Sequence, residues 1–355
     1  MSSIPDNVPP SPDAPDHRES AEVPASGLQP PREWAGEPVG SPLLEGPPPA
    51  SEAASPPVEG LTEEHEIIAG EQELFTSYSL PGHARPPARI PNFGHLLVLL
   101  LLFVFGWLGA GSALLIGLHF HAFGVKTLAQ ATKDFRYTVG SQAIQYFITF
   151  AACLAIFPVL WRRSLLGGLH WNWAGAFRYR GRLLSAVVLC FCGAILNMLV
   201  LPGPVDAPID QLFRAPGAAW VLFAFGVTLA PFFEELVFRG FLLPALCTAY
   251  DWTGEQLQGS LQRPLDQDGS PRWSMPAMIG ASLISSLPFA LMHGEQTGWS
   301  IGPFSLLMCV SLVLCWVRLG TRSLAASTLV HAGYNFTLFS LMLIGTAGFR
   351  HLDKM

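Results

Sequence analysis

Seven stretches of this chain are apolar enough, for long enough, to cross a bilayer, and that excludes most soluble architectures. A hydrocarbon core of about 30 Å calls for roughly 20 mostly apolar residues per helix. The clearest stretch, 96–119, contains no Asp, Glu, Lys or Arg. The others fall at about 140–161, 183–201, 218–245, 275–293, 301–319 and 324–344. The pattern predicts an all-α polytopic membrane protein of about seven transmembrane helices.

Composition divides the chain at its first span. Residues 1–90 hold 18 of the 31 prolines and 15 acidic residues against 4 basic ones, a net charge of −11. Too few apolar side chains are present to offset the entropy of ordering, so this part is expected to be a disordered, acidic, Pro-rich tail. Residues 91–355 carry 11 acids against 16 bases, net +5, and form the expected helical membrane core. No basic patch is dense enough to track phosphates, which argues against a nucleic-acid partner. The six cysteines show neither a C-x-x-C pair nor zinc-ribbon spacing, and read as reduced packing residues.

Orientation follows from Lys and Arg in the span flanks. With the tail placed in the cytoplasm, its side collects eleven such residues, Arg318 among them, and the other side six. The expected arrangement is a multi-pass protein of the cell membrane with its N-terminal tail cytoplasmic. Seven spans then place the C-terminus outside. The loop at about 250–274 is long for a connection between spans.

Ionisable residues inside spans are the informative ones. Each costs about 2.5–3.5 kcal/mol at the bilayer centre and must face the protein interior or a wet cavity. The fourth span contains Pro231-Phe-Phe-Glu234-Glu235-Leu-Val-Phe-Arg239. Glu235 and Arg239 stand i,i+4, the order of a good helical ion pair. Glu234 points about 100° away and has no cation on its own helix, which suits a general base in an apolar cavity. A single structural ion-pair network of all three is the rival account. The fifth span ends on Phe289-Ala-Leu-Met-His293, where the Phe289 ring can pack under the imidazole. The seventh contains His331-Ala-Gly-Tyr-Asn335, with both polar residues on one face, and Ala332 and Gly333 allowing close approach of a neighbouring helix. An interhelical polar clamp is the alternative role for Asn335. Together these groups can activate a water and stabilise an oxyanion, the two needs of amide hydrolysis. No H-E-x-x-H is present.

The ordered set E-E-x-x-x-R, F-x-x-x-H and H-x-x-x-N in successive apolar spans resembles the CPBP family of intramembrane proteases. That group includes the CAAX prenyl endopeptidases, or Ras-converting enzymes, and their bacterial Abi relatives. The resemblance implies a membrane endopeptidase acting on a protein or peptide substrate in or near the lipid bilayer; a longer family pattern would make eight spans. By the motif match, Glu234 and His293 would activate water, His331 and Asn335 would stabilise the oxyanion, and Glu235, Arg239 and Phe289 would support them. No cofactor is expected, because Glu235 is taken by Arg239 and Asn335 is a poor zinc ligand. The alternative is a zinc-dependent, metalloendopeptidase-like site built on Glu234, His293 and His331. Two other readings compete: a non-catalytic scaffold or bacteriocin-immunity-type protein on the same fold, and a proton-coupled transporter. The transporter is disfavoured by the lack of an internal repeat.

Overall fold

The structure is a computed structural model that describes residues 90–201, 212–213, 215–258 and 272–351. The tail expected over residues 1–90 lies outside the described residues apart from Ile90, as do positions 259–271 of the long loop, Arg214 and Lys354.

All regular elements among the described residues are helical, and seven helices are long and apolar enough to cross a membrane. They are α1 (Phe93–His119), α2 (Phe135–Trp161), α3 (Arg180–Val200), a broken fourth span, α7 (Met275–Met292), α8 (Ile301–Thr321) and α9 (Leu324–Gly345). The expectation of an all-α multi-pass membrane protein is borne out. Large apolar side chains such as Leu97, Leu101, Phe105 and Trp107 on α1, and Leu184, Leu196 and Leu199 on α3, point outward. A soluble protein could not solvate that surface, whereas lipid can.

Side chains already present in the sequence start these helices. Asn92 accepts from the His95 N–H while the His95 ring accepts from the Asn92 N–H, closing a capping box at α1. Ser323 caps α9 by accepting from the Ala326 N–H. Ser274 caps α7 and is held by Asp251, whose carboxylate accepts from the Ser274 N–H at 3.0 Å and its hydroxyl at 2.6 Å.

The fourth span departs from the uninterrupted helix expected over 218–245. It runs over Ala218–Gln258 in four pieces: α4 (Ala218–Val227), α5 (Leu229–Glu235), a π-helical segment (Leu236–Leu242) and α6 (Leu243–Gln258). Pro231 sits in the first turn of α5, where a missing N–H is tolerated, so the chain breaks just before it at Thr228. Pro244 sits just past the π segment; a proline ring clashes with the carbonyl four residues back, and widening the turn relieves that clash. Because α6 continues to Gln258, positions 250–258 are helix and not loop, which corrects the boundary expected there.

Lipid provides no hydrophobic drive between helices, so close packing and polar links must hold them. On α9, a Cβ at Gly333 would come within 3.0 Å of Val187 on α3, which is the close approach expected at this position. At Gly106 on α1, a Cβ would meet the Thr149 hydroxyl and come within 2.8 Å of the Gln145 carbonyl on α2. Phe157, Leu236, Phe241 and Leu324 pack into one buried cluster that joins α2, the π segment and α9. Four of the six cysteines are buried between helices, while Cys192 and Cys309 are exposed, and none forms a disulfide.

Gly106→Ala should lower stability by about 1–3 kcal/mol through overpacking against α2. Gly111→Ala, where a Cβ meets nothing within 4 Å, should leave stability within roughly 0.5 kcal/mol of the parent. Thermal unfolding of the detergent-solubilised protein compares the two.

Candidate active site

Three spans bring their ionisable side chains to one place. The fourth span contributes Glu234 and Glu235 from the last turn of α5 and Arg239 from the π segment. α7 contributes His293 at its C-terminal cap, and α9 contributes His331, about 10 Å along the helix from Leu324. The group therefore lies well inside the span, where a charge needs a partner.

Glu235 and Arg239 are both fully buried and pair at 2.9 Å, in the i,i+4 relation expected of them. The same Glu235 oxygen lies 3.1 Å from Nδ1 of His331. A carboxylate only accepts, so Nδ1 of His331 is the donor and its Nε2 is turned toward Glu234. Arg239 also donates to the Ser311 hydroxyl at 2.7 Å and the Ser311 carbonyl at 3.0 Å, and the Ser311 hydroxyl donates to Ser286 at 2.8 Å. One buried polar chain thus links the fourth span, α7, α8 and α9.

Glu234 has a different environment from its neighbour. Its Oε2 lies 3.8 Å from Nε2 of His293 and 3.7 Å from Nε2 of His331. Both distances are too long for direct hydrogen bonds, and both suit groups that share a small polar molecule between them. Glu234 and His293 keep 11% and 16% of their side-chain surface accessible, against none for Glu235.

The end of α7 explains the pose of His293. The helix tightens in its last turn, where the His293 N–H bonds to the Ala290 carbonyl. The Phe289 carbonyl is left as one of the helix's orphan acceptors, and Nδ1 of His293 takes it at 2.8 Å. A carbonyl cannot donate, so Nδ1 carries a proton and Nε2 is the nitrogen turned toward Glu234. The Phe289 ring packs against the His293 ring at 5.1 Å, as expected, and also against the His331 ring at 5.8 Å. The Arg239 guanidinium lies over the same ring at 4.5 Å, a cation–π contact.

Asn335 spends one N–H on another part of the fourth span. It lies one turn beyond His331 on α9, and its Nδ2 donates to the Gly226 carbonyl at 2.7 Å. The break at Thr228 takes that carbonyl out of a continuous helix, so Asn335 makes the bond of an interhelical clamp; its second N–H is not used in that bond. A zinc site would require Glu234, His293 and His331 to hold donor atoms about 2.0–2.2 Å from one point. Among the described residues, no three His, Cys, Asp or Glu are grouped in a way that could hold a metal ion.

Sequence reasoning missed several participants. Arg318, counted there as a flanking charge, is 3% exposed and bonds to backbone carbonyls inside the protein. Ser286 and Ser311 carry no motif. Tyr146 of α2 stacks on Phe233 at 4.4 Å and on Phe225 at 6.0 Å, beside Glu234. Only for Arg318 did a signal exist, as its position falls within the last turn of an apolar run.

Residues 216–337, which include every motif residue, match the family model described as Type II CAAX prenyl endopeptidase Rce1-like. No curated protein and no solved structure gives a match.

Replacing Arg239 by Met should destabilise the protein by about 3–5 kcal/mol, because it leaves the Glu235 carboxylate buried without its cation. Glu234→Gln should cost less than about 1 kcal/mol, since Glu234 makes no direct hydrogen bond shorter than its two imidazole approaches. Unfolding midpoints of the two variants against the parent check the difference.

Proposed function

We propose, on the premise that the segment 216–337 belongs to the Rce1-like family of type II CAAX prenyl endopeptidases, that this protein is an intramembrane endopeptidase acting by water activation. The observation that carries the proposal is the approach of Nε2 of His293 and Nε2 of His331 to the same Glu234 oxygen.

A water held between Glu234 and His293 can pass a proton to the carboxylate as its oxygen attacks the scissile carbonyl carbon. The lone pair on Nε2 of His293 accepts the water's other hydrogen bond and orients it. As the tetrahedral intermediate forms, its oxyanion needs donors. His331 serves from Nε2 when that nitrogen carries a proton, while Nδ1 keeps its bond to Glu235. Asn335 retains an N–H that can join it. The proton taken by Glu234 is then delivered to the leaving amine. General acid–base catalysis of this kind contributes about 10²–10⁴-fold, and a well-placed oxyanion donor about 10²–10³-fold.

The substrate class is a protein or peptide whose scissile bond reaches this buried group from the membrane or its surface. The cell membrane is the proposed location, with the N-terminal tail in the cytoplasm on the strength of the Lys and Arg bias between the flanks. No step runs through a metal.

Purified protein in detergent or proteoliposomes should cleave membrane-proximal peptides. Glu234→Gln and His293→Ala should each lower kcat by about 10²-fold or more while the protein remains folded. Equal cleavage, or an equal cellular phenotype, in wild type and Glu234→Gln would instead support a scaffold or immunity-type protein. Uptake into proteoliposomes driven by a pH gradient would support the transporter. Activity should also persist after exhaustive chelation; stoichiometric zinc lost together with activity would replace the metal-free account.

A further inference from the structure

The π segment that carries Arg239 has a backbone defect, and a second buried arginine fills it. In this segment the Leu243 N–H bonds to the Phe238 carbonyl, five residues back. The next donor in that register would be residue 244, bonding to the Arg239 carbonyl, but residue 244 is proline and has no N–H. The Arg239 carbonyl instead accepts from Nε of Arg318 at 3.3 Å. The same guanidinium donates through an Nη atom to the Leu169 carbonyl at 3.3 Å, at the end of the short turn Leu165–Gly168. Among the hydrogen bonds and ion pairs of the described residues, Arg318 has no carboxylate partner. A buried arginine spent on two backbone carbonyls is expensive for packing alone, because any apolar side chain could fill the volume.

We propose that Arg318 is a positioning residue for the catalytic glutamate. It supplies the donor that Pro244 lacks and holds the π segment in the register that aims Glu235 at His331 and Glu234 at His293. Without it, the Arg239 carbonyl is left buried and unpaired, and the segment has reason to rewind toward an ordinary α register. Rewinding would rotate Arg239 relative to Glu235, and the shared bond to His331 would move with it. A shift of about 1 Å at a reacting group is enough to cost roughly 10²-fold in rate.

The activity arm of the test rests on the peptidase reading, so a second arm does not. Arg318→Met keeps the volume and removes the donors; Pro244→Ala restores an N–H opposite the Arg239 carbonyl. Arg318→Met should lower kcat by roughly 10- to 100-fold with KM within about twofold, and Pro244→Ala combined with it should recover about tenfold of the loss. Arg318→Lys, which can reach one carbonyl, should fall between parent and Arg318→Met, and it carries the test if the methionine variant does not fold. In parallel, the unfolding midpoint lost in Arg318→Met should be at least half restored in the double variant. Additive effects of the two substitutions in both arms, or a loss confined to KM, would overturn the proposal. If wild type and Glu234→Gln cleave alike, the peptidase reading falls and the coupling of unfolding midpoints alone decides the role of Arg318.

Discussion

The arrangement depends on one oxygen atom, Oε1 of Glu235, which accepts from Arg239 and His331 together in a place with no solvent exposure. Neither charge could remain inside a bilayer alone, and three elements must meet for both to be offset. The π segment has to present Arg239 on the same side as Glu235, and α9 has to bring His331 to within 3.1 Å. Arg239 then reaches past the pair to Ser311 and over the ring of Phe289, which draws α8 and α7 into the same arrangement. Apolar packing in lipid is weakly specific, because lipid tails compete for the same surfaces. The polar chain through Glu235 therefore does more to define how these spans sit against one another than the more numerous leucines around it.

A second regularity is that interruptions in the helices are used. At the break before Pro231, the Gly226 carbonyl accepts from Asn335. At Pro244, the Arg239 carbonyl accepts from Arg318. At the tightened end of α7, the Phe289 carbonyl accepts from His293. A freed carbonyl inside a membrane is costly, so each interruption recruits a donor, and the donor side chain is fixed in turn. For His293 the gain is a fixed ring pose with Nε2 turned toward Glu234. The same economy places irregular backbone at the polar centre of the molecule, where donors are at hand, and leaves α1 and α3 as long unbroken helices facing outward.

These features set what the sequence could disclose. The seven spans were legible because runs such as 96–119 admit no other environment, and the pairing of Glu235 with Arg239 was legible because i,i+4 spacing is a local matter. The packing of Phe289 under His293 was legible for the same reason. The extent of the fourth span was not: hydropathy falls beyond residue 245, where Asp251 and Glu255 appear, although the helix itself continues to Gln258. Arg318 falls within the last turn of an apolar run, but residue type does not show that its partners are backbone carbonyls. Asn335 was read beside His331 as a donor or as a clamp, and its bond to Gly226 depends on a break in another span that spacing along α9 cannot reveal.

Adjacent glutamates offer an argument about roles that does not depend on family likeness. Glu235 already accepts from two cationic or potentially cationic groups, and it is sealed from solvent, so protonating it would break the pair with Arg239 and leave that cation buried. A group whose protonation dismantles the structure is a poor proton carrier. Glu234, one residue earlier, faces two imidazole nitrogens at 3.7 and 3.8 Å, retains some accessible surface and makes no salt bridge to lysine or arginine among the described residues. The chain thus gives its adjacent glutamates two environments: Glu235 is sealed into the contacts that tie the spans together, and Glu234 keeps accessible surface beside two imidazoles.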